Sequence, residues 1–255
     1  MAEIIAFLSG KGGVGKTTIA INIANVLSTY FRRKVLIVDT NFTTSHLGLS
    51  LGIFYPEGNL NKVLRGEMNV EDAIHNYSLG LDLLPLSLSI RDLEGIDILK
   101  FPRVLESVNY RYDYIILDAA PGLGREAILS IKNANKIVYI ALPIMQSVVD
   151  IVRTQEVVRE FEKKELGIIL NMVRNKPYEM RDNDIEGLTN LKIIGKIPYD
   201  ERFLISNAHK LPYTTLYQNN KTYEEFLKIC SILTNQKIEI KKSLFGRILE
   251  FLFKK

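Results

Sequence analysis

The residues with the clearest chemistry lie near the start of the chain, in LSGKGGVGKTT, Leu8 to Thr18. Gly10, Gly15, Lys16 and Thr17 have the spacing G-x-x-x-x-G-K-[ST] of a phosphate-binding loop. Gly10, Gly12, Gly13 and Gly15 let backbone N–H groups turn inward around phosphate oxygens. A helix opening near Thr17 would add its positive dipole end. Lys16 is placed to reach the β- and γ-phosphates of a nucleotide, and the Thr17 hydroxyl to ligate Mg²⁺. Val14 and Thr18 complete the nucleotide-contacting stretch. Lys11 is a second lysine in the loop that the spacing does not require.

A phosphate loop needs an acid to hold its metal. YIILDAAPG supplies one, because an apolar run ends in Asp118 before a small-residue turn containing Gly122. Asp118 would hold the metal through water.

The elements that must position these groups are legible as apolar runs. Residues 3–9, 34–39, 81–86, 112–118, 136–143, 166–173 and 191–198 are continuously rather than alternately apolar. That is the mark of strands buried on both faces. Helical patterns at about 17–31, 60–74, 103–110, 124–133, 147–163 and 222–234 lie between or after them. The alternation predicts an α/β fold with one doubly wound, mostly parallel sheet and helices on both faces. Ligands in such sheets sit at the carboxyl ends of the strands. No linker divides the body; 206–222 reads as a polar loop, and the boundary falls near Lys237. The expected organisation is therefore an ATPase-like domain over 1–236 and a linker with an amphipathic helix over 237–255.

KGGVGKTT, VLIVDTNFTTSHLGLSLG and YDYIILDAAPGLGRE together resemble the MinD/ParA family of ATPases with a deviant Walker A motif. The resemblance covers about residues 3–235 and is nearest to the MinD branch. It implies a homodimer with two ATP molecules between the chains, in which Lys11 crosses to the partner's nucleotide like an arginine finger. It implies that Asp39 belongs to the metal and catalytic set, that Asn171 reads adenine, and that Pro198 packs on the ring with Asp200 nearby. An amide donates and accepts at once, which suits the adenine edge. The guanine signature N-K-x-D is missing, since RNKPY lacks the aspartate, so ATP is expected rather than GTP.

One position departs from the family pattern. The family has D-x-D where this chain has VDTNF, so Asn41 replaces the second acid, and His46 stands where the family often has Asn. An amide can orient water but cannot accept a proton. On one reading hydrolysis is slow and Asn41→Asp raises turnover. On the other, Asn41 caps the following turn and Thr43 or Thr44 takes over.

The charge is as localised as the chemistry. The last fifteen residues hold five basic residues and one acid, which accounts for the whole net charge of +4. A balanced body is not that of a broad nucleic-acid binder, and no nucleic-acid partner is expected. In SLFGRILEFLFKK, Leu244, Phe245, Ile248, Leu249 and Leu252 share one helical face. A helix over 243–255 would reach only about 20 Å at 1.5 Å per residue, against about 30 Å of bilayer core. The tail is expected to lie on an anionic membrane surface, as the membrane-targeting helix of the MinD branch does. The other occupant weighed is the chain's own domain or another protein. The single cysteine, Cys230, excludes an internal disulfide framework and fits a reducing, cytoplasmic setting, and the resemblance of the tail to that of the MinD branch implies a peripheral place on the inner face of the cell membrane.

The function expected is ATP-dependent dimerisation and reversible membrane binding in spatial positioning, with an unidentified protein partner or activator. The alternatives are a scarcely hydrolysing membrane switch, a metabolic phosphoryl-transfer enzyme and a ParA-type segregation ATPase.

Overall fold

The computed structural model describes residues 1–238. The readings for Leu244, Phe245, Ile248, Leu249 and Leu252 lie outside the described residues.

Eight strands form one sheet: β1 (Glu3–Leu8), β2 (Val35–Thr40), β3 (His75–Ser78), β4 (Leu81–Leu84), β5 (Tyr114–Ala119), β6 (Lys136–Ala141), β7 (Lys164–Val173) and β8 (Ile193–Pro198). Their order is β3-β4-β2-β5-β1-β6-β7-β8. Every pair is parallel except β3 with β4 at one edge. The doubly wound sheet expected from the apolar runs is therefore present.

Alternate residues of the central strands feed two cores, which is why the runs are continuously apolar. Leu36 and Val38 of β2 face one cluster with Ile115, Leu117 and Tyr139. Val35 and Ile37 face the other with Ile5, Phe7 and Ile116. The first face is covered by α3 (Leu60–Arg65), α4 (Val70–Ala73), α5 (Phe101–Val108), α6 (Arg125–Asn133), α7 (Met145–Glu160) and α8 (Asp182–Thr189). The second is covered mainly by α1 (Lys16–Thr29), α2 (Leu47–Ser50) and α11 (Lys221–Thr234). The short α9 (Arg202–Ala208) and α10 (Tyr213–Leu216) bridge β8 to α11.

Two expectations change. The single helix predicted over 60–74 is two, because Gly66 adopts φ 81° and caps α3 with its N–H on the Lys62 and Val63 carbonyls. The loop predicted over 206–222 contains α10, and its Tyr213 is fully buried. Tyr213 stacks on Phe203 with ring centroids 4.3 Å apart. The polar composition of that segment conceals one aromatic anchor.

Candidate nucleotide and metal site

The site lies where β1 passes through the glycine loop into α1. Gly15 caps α1 in the left-handed region at φ 85°, which a side chain adopts only at a cost. The loop is also hemmed in sterically. A Cβ at Gly15 would lie 2.2 Å from Asn171 Nδ2, and one at Gly10 would lie 2.0 Å from the Cβ of Asp150 on α7. β7 and α7 therefore clamp the loop from two sides.

Three acidic or basic groups expected from sequence meet at the strand ends. Asp39 of β2 and Asp118 of β5 are register partners and both buried. Lys16 Nζ lies 2.5 Å from Asp118 Oδ1, and the Thr17 hydroxyl donates to Asp118 Oδ2 at 2.6 Å. Here Lys16 rests on Asp118, where the sequence reading put it on phosphate. Asp39 accepts from Ser45 Oγ at 2.7 Å and from the backbone N–H groups of Asn41 and Leu47. Burial, and then the Asp118 carboxylate, push Asp39 well above the usual carboxylate range.

That repulsion tests whether a divalent cation fits. Two adjacent buried carboxylates with one lysine between them are short of positive charge, and the Thr17 hydroxyl adds a hard oxygen donor. Among the described residues no group of three or more His, Cys, Asp or Glu could hold a metal alone. The donor set thus suits a magnesium ion that draws further ligands from water and phosphate.

The loop opens on a cavity of about 500 Å³ lined also by Asn41, Thr44, His46 and Pro121. A second hollow of about 190 Å³ adjoins it and shares Gly15, Thr18, Ser50 and Asn207. Asn171, Pro198 and Asp200 line this second hollow. The structure thus brings the expected phosphate and base residues into one continuous depression.

Two of their side chains also have partners within the fold. Asn171 donates one amide N–H to the Val14 carbonyl at 2.8 Å, so it braces the loop and leaves its second N–H and Oδ1 for a base. Asp200 is turned away onto Arg202 and the Tyr213 hydroxyl, at 2.6 and 2.7 Å. The Arg202 guanidinium holds its carboxyl down at about 2. Asp200 therefore shapes the wall of the base hollow, and its oxygens are already occupied.

Asn41 is also occupied. Its Nδ2 donates to the Thr44 carbonyl at 2.7 Å and to Thr44 Oγ1 at 3.0 Å, and its Oδ1 accepts from that hydroxyl. The turn-capping geometry is the one present. Asn41→Asp is expected to lose those donors at about 1 kcal/mol of stability while adding the proton acceptor the loop lacks. Phosphate release should rise several-fold; unchanged turnover would show that no acid is wanted there.

Lys11 sits at the rim, 56% exposed, with Nζ 3.6 Å from Asp150 Oδ2. Asp150 and the acid Glu126 on α6 went unnoticed in the sequence. Each is one acid within an ordinary amphipathic helix, and nothing local marks its neighbour across the fold.

Comparison with known proteins agrees with this geometry. Residues 2–168 match the family described as an AAA domain. An uncharacterised ATP-binding protein of Methanocaldococcus jannaschii is 32% identical over 94% of this chain and 91% of its own length. The cell division ATPase MinD of Pyrococcus furiosus superposes with a TM-score of 0.87 at 28% identity, over 92% of this chain and 99% of that one. The septum site-determining protein MinD of Pyrococcus horikoshii, complexed with Mg-ADP, gives 0.86 at 26% identity, over 91% and 96%.

Proposed function

We propose a function from one premise: this chain belongs to the MinD/ParA family of P-loop ATPases. It binds ATP with Mg²⁺ and hydrolyses it to ADP and phosphate. The observation that carries this reading is buried Asp118, beside Asp39, held by Lys16 and Thr17, which line the cavity.

Each residue's task follows from its contacts. The loop N–H groups surround the phosphates, and Lys16 exchanges Asp118 for phosphate oxygens. Thr17, Asp39 and Asp118 would hold magnesium, which when bound neutralises charge on the β- and γ-phosphates. Asn171 Oδ1 accepts from the 6-amino group of adenine, and its second N–H is left to donate to the neighbouring ring nitrogen. Hydrolysis is slow, because the Asn41 amide cannot accept a proton and is engaged with Thr44.

Two chains close face to face over two nucleotides. The Lys11–Asp150 pair is long and half exposed, so Lys11 is free to leave its own α7 for the partner's phosphates. Dimerisation gates membrane binding. The tail face of Leu244, Phe245, Ile248, Leu249 and Leu252, flanked by lysines, binds anionic lipid weakly alone. Two tails in one dimer gain about 10²–10⁴ in avidity. No described helix is long and apolar enough to cross a membrane. The setting proposed is the cytoplasm and the inner membrane face, where the protein positions a partner protein in the manner of a MinD.

Sedimentation with anionic vesicles tests this. Pelleting is expected with ATP or a non-hydrolysable analogue, at least about tenfold less with ADP, and not at all on deletion of 241–255. Equal pelleting in all nucleotide states would remove the gating and keep the tail; pelleting of the deleted chain would remove the tail.

A further inference from the structure

The loop after β2 carries no acid where its family relatives expect one, yet a carboxylate reaches it from another element. The Thr43 hydroxyl donates to Glu126 Oε1 of α6 at 2.6 Å. That is the short distance of a charge-assisted O–H···O⁻ bond. Phe42, buried in the core, fixes the loop just before Thr43, while Asn41 before it and Thr44 after Thr43 line the phosphate cavity.

Glu126 is itself held in register with the metal-site strands. Ser130, one turn further along α6, hydrogen-bonds Thr40 Oγ1 at 2.8 Å, and that hydroxyl donates to the Asp118 carbonyl at 3.0 Å. The Ser130 hydroxyl also lies 3.1 Å from the Glu126 carbonyl. A line of hydroxyls therefore ties the ends of β2 and β5 to α6, and Glu126 closes it onto the loop. The segment between Asp118 and α6 reaches the phosphate loop as well, since the Gly122 N–H donates to the Ser9 carbonyl at 2.8 Å.

We propose that Glu126 is a positioning residue for ATP hydrolysis, acting through Thr43 to fix the loop that presents Asn41 and Thr44 to the γ-phosphate end of the cavity. The proposal rests on the ATPase reading above. It makes α6 the element that couples the loop after β2 to the loop after β5. Glu126 lines neither the phosphate cavity nor the adjoining hollow, so it governs the rate and leaves nucleotide affinity alone.

Phosphate release and binding of a fluorescent ATP analogue would be measured on the full chain as Thr43→Val, Glu126→Ala, the double variant and Thr43→Ser. Each of the first two is expected to lower kcat about tenfold, and the double variant no further, because all three break one contact. Affinity should stay within about twofold, and Thr43→Ser should restore the rate. Additive losses in the double variant, an affinity loss equal to the rate loss, or an unchanged kcat in Glu126→Ala would overturn the proposal. Wild-type turnover no faster than that of Lys16→Ala would overturn the ATPase reading, and this inference with it.

Discussion

Lys16→Ala is expected to lower MgATP affinity by at least roughly a hundredfold, the effect of losing two charged hydrogen bonds to phosphate. It should also destabilise the nucleotide-free protein. Lys16 and Asp118 are 7% and 2% exposed, so the variant leaves two neighbouring carboxylates buried without a cation. Removing one partner of a buried pair costs about 3–5 kcal/mol. The loss should depend on pH with a definite sign. Asp39 already stands at about 7, and the Lys16 charge is one of the forces drawing it down. Without Lys16 it rises further. A carboxyl raised in the folded state binds more protons there than in the unfolded chain. Stability is then highest below the unfolded value and falls as pH rises through the folded one. The variant should therefore lose more stability at pH 8 than at pH 6. Titration calorimetry and urea denaturation at both pH values check this. Undiminished affinity, or a smaller loss at pH 8, would contradict the geometry.

Gly10→Ala should be nearly as damaging for a different reason. Its Cβ would lie 2.0 Å from the Asp150 Cβ, 3.0 Å from its Cγ and 3.2 Å from its Cα. These are atoms at the root of a residue within α7, so relief requires the helix or the loop to move. Overpacking of this kind costs about 1–3 kcal/mol and occasionally more, and here the element displaced is the phosphate cradle itself. ATP binding should fall below detection in the same calorimetric titration. Gly12→Ala is the internal control, since a Cβ there meets nothing within 4 Å. Equal effects at the two positions would show that the loop needs flexibility at each glycine and that contact with α7 is irrelevant.

The two substitutions mark what could be read from the sequence and what could not. The anion loop, Asp118 and the central strands are local patterns. YDYIILD, for example, became β5 with the acid one residue from its end. The contact of Gly10 with Asp150 joins residues far apart in the chain, and no spacing rule encodes it. β3 was missed because HNYS is polar and forms an edge strand, paired on one side only and broken by a register shift. Asn171 was found as a site residue, but its hydrogen bond to Val14 depends on how β7 sits behind the loop. Asp200 is placed near the base by its position in KIPYD, whereas its carboxylate is held by Arg202 and Tyr213, both on unforeseen helices. Amide and carboxylate positions are visible in a sequence; which partner captures them is decided by tertiary proximity.

The amide of Asn171 has one end fastened to Val14 and the other facing the hollow beside Pro198. On the function proposed above, purine discrimination and anion capture share this single side chain, and neither can be retuned alone. Anyone redesigning this protein to accept another base would loosen the cradle in the same stroke, and would have to supply a new brace for it first.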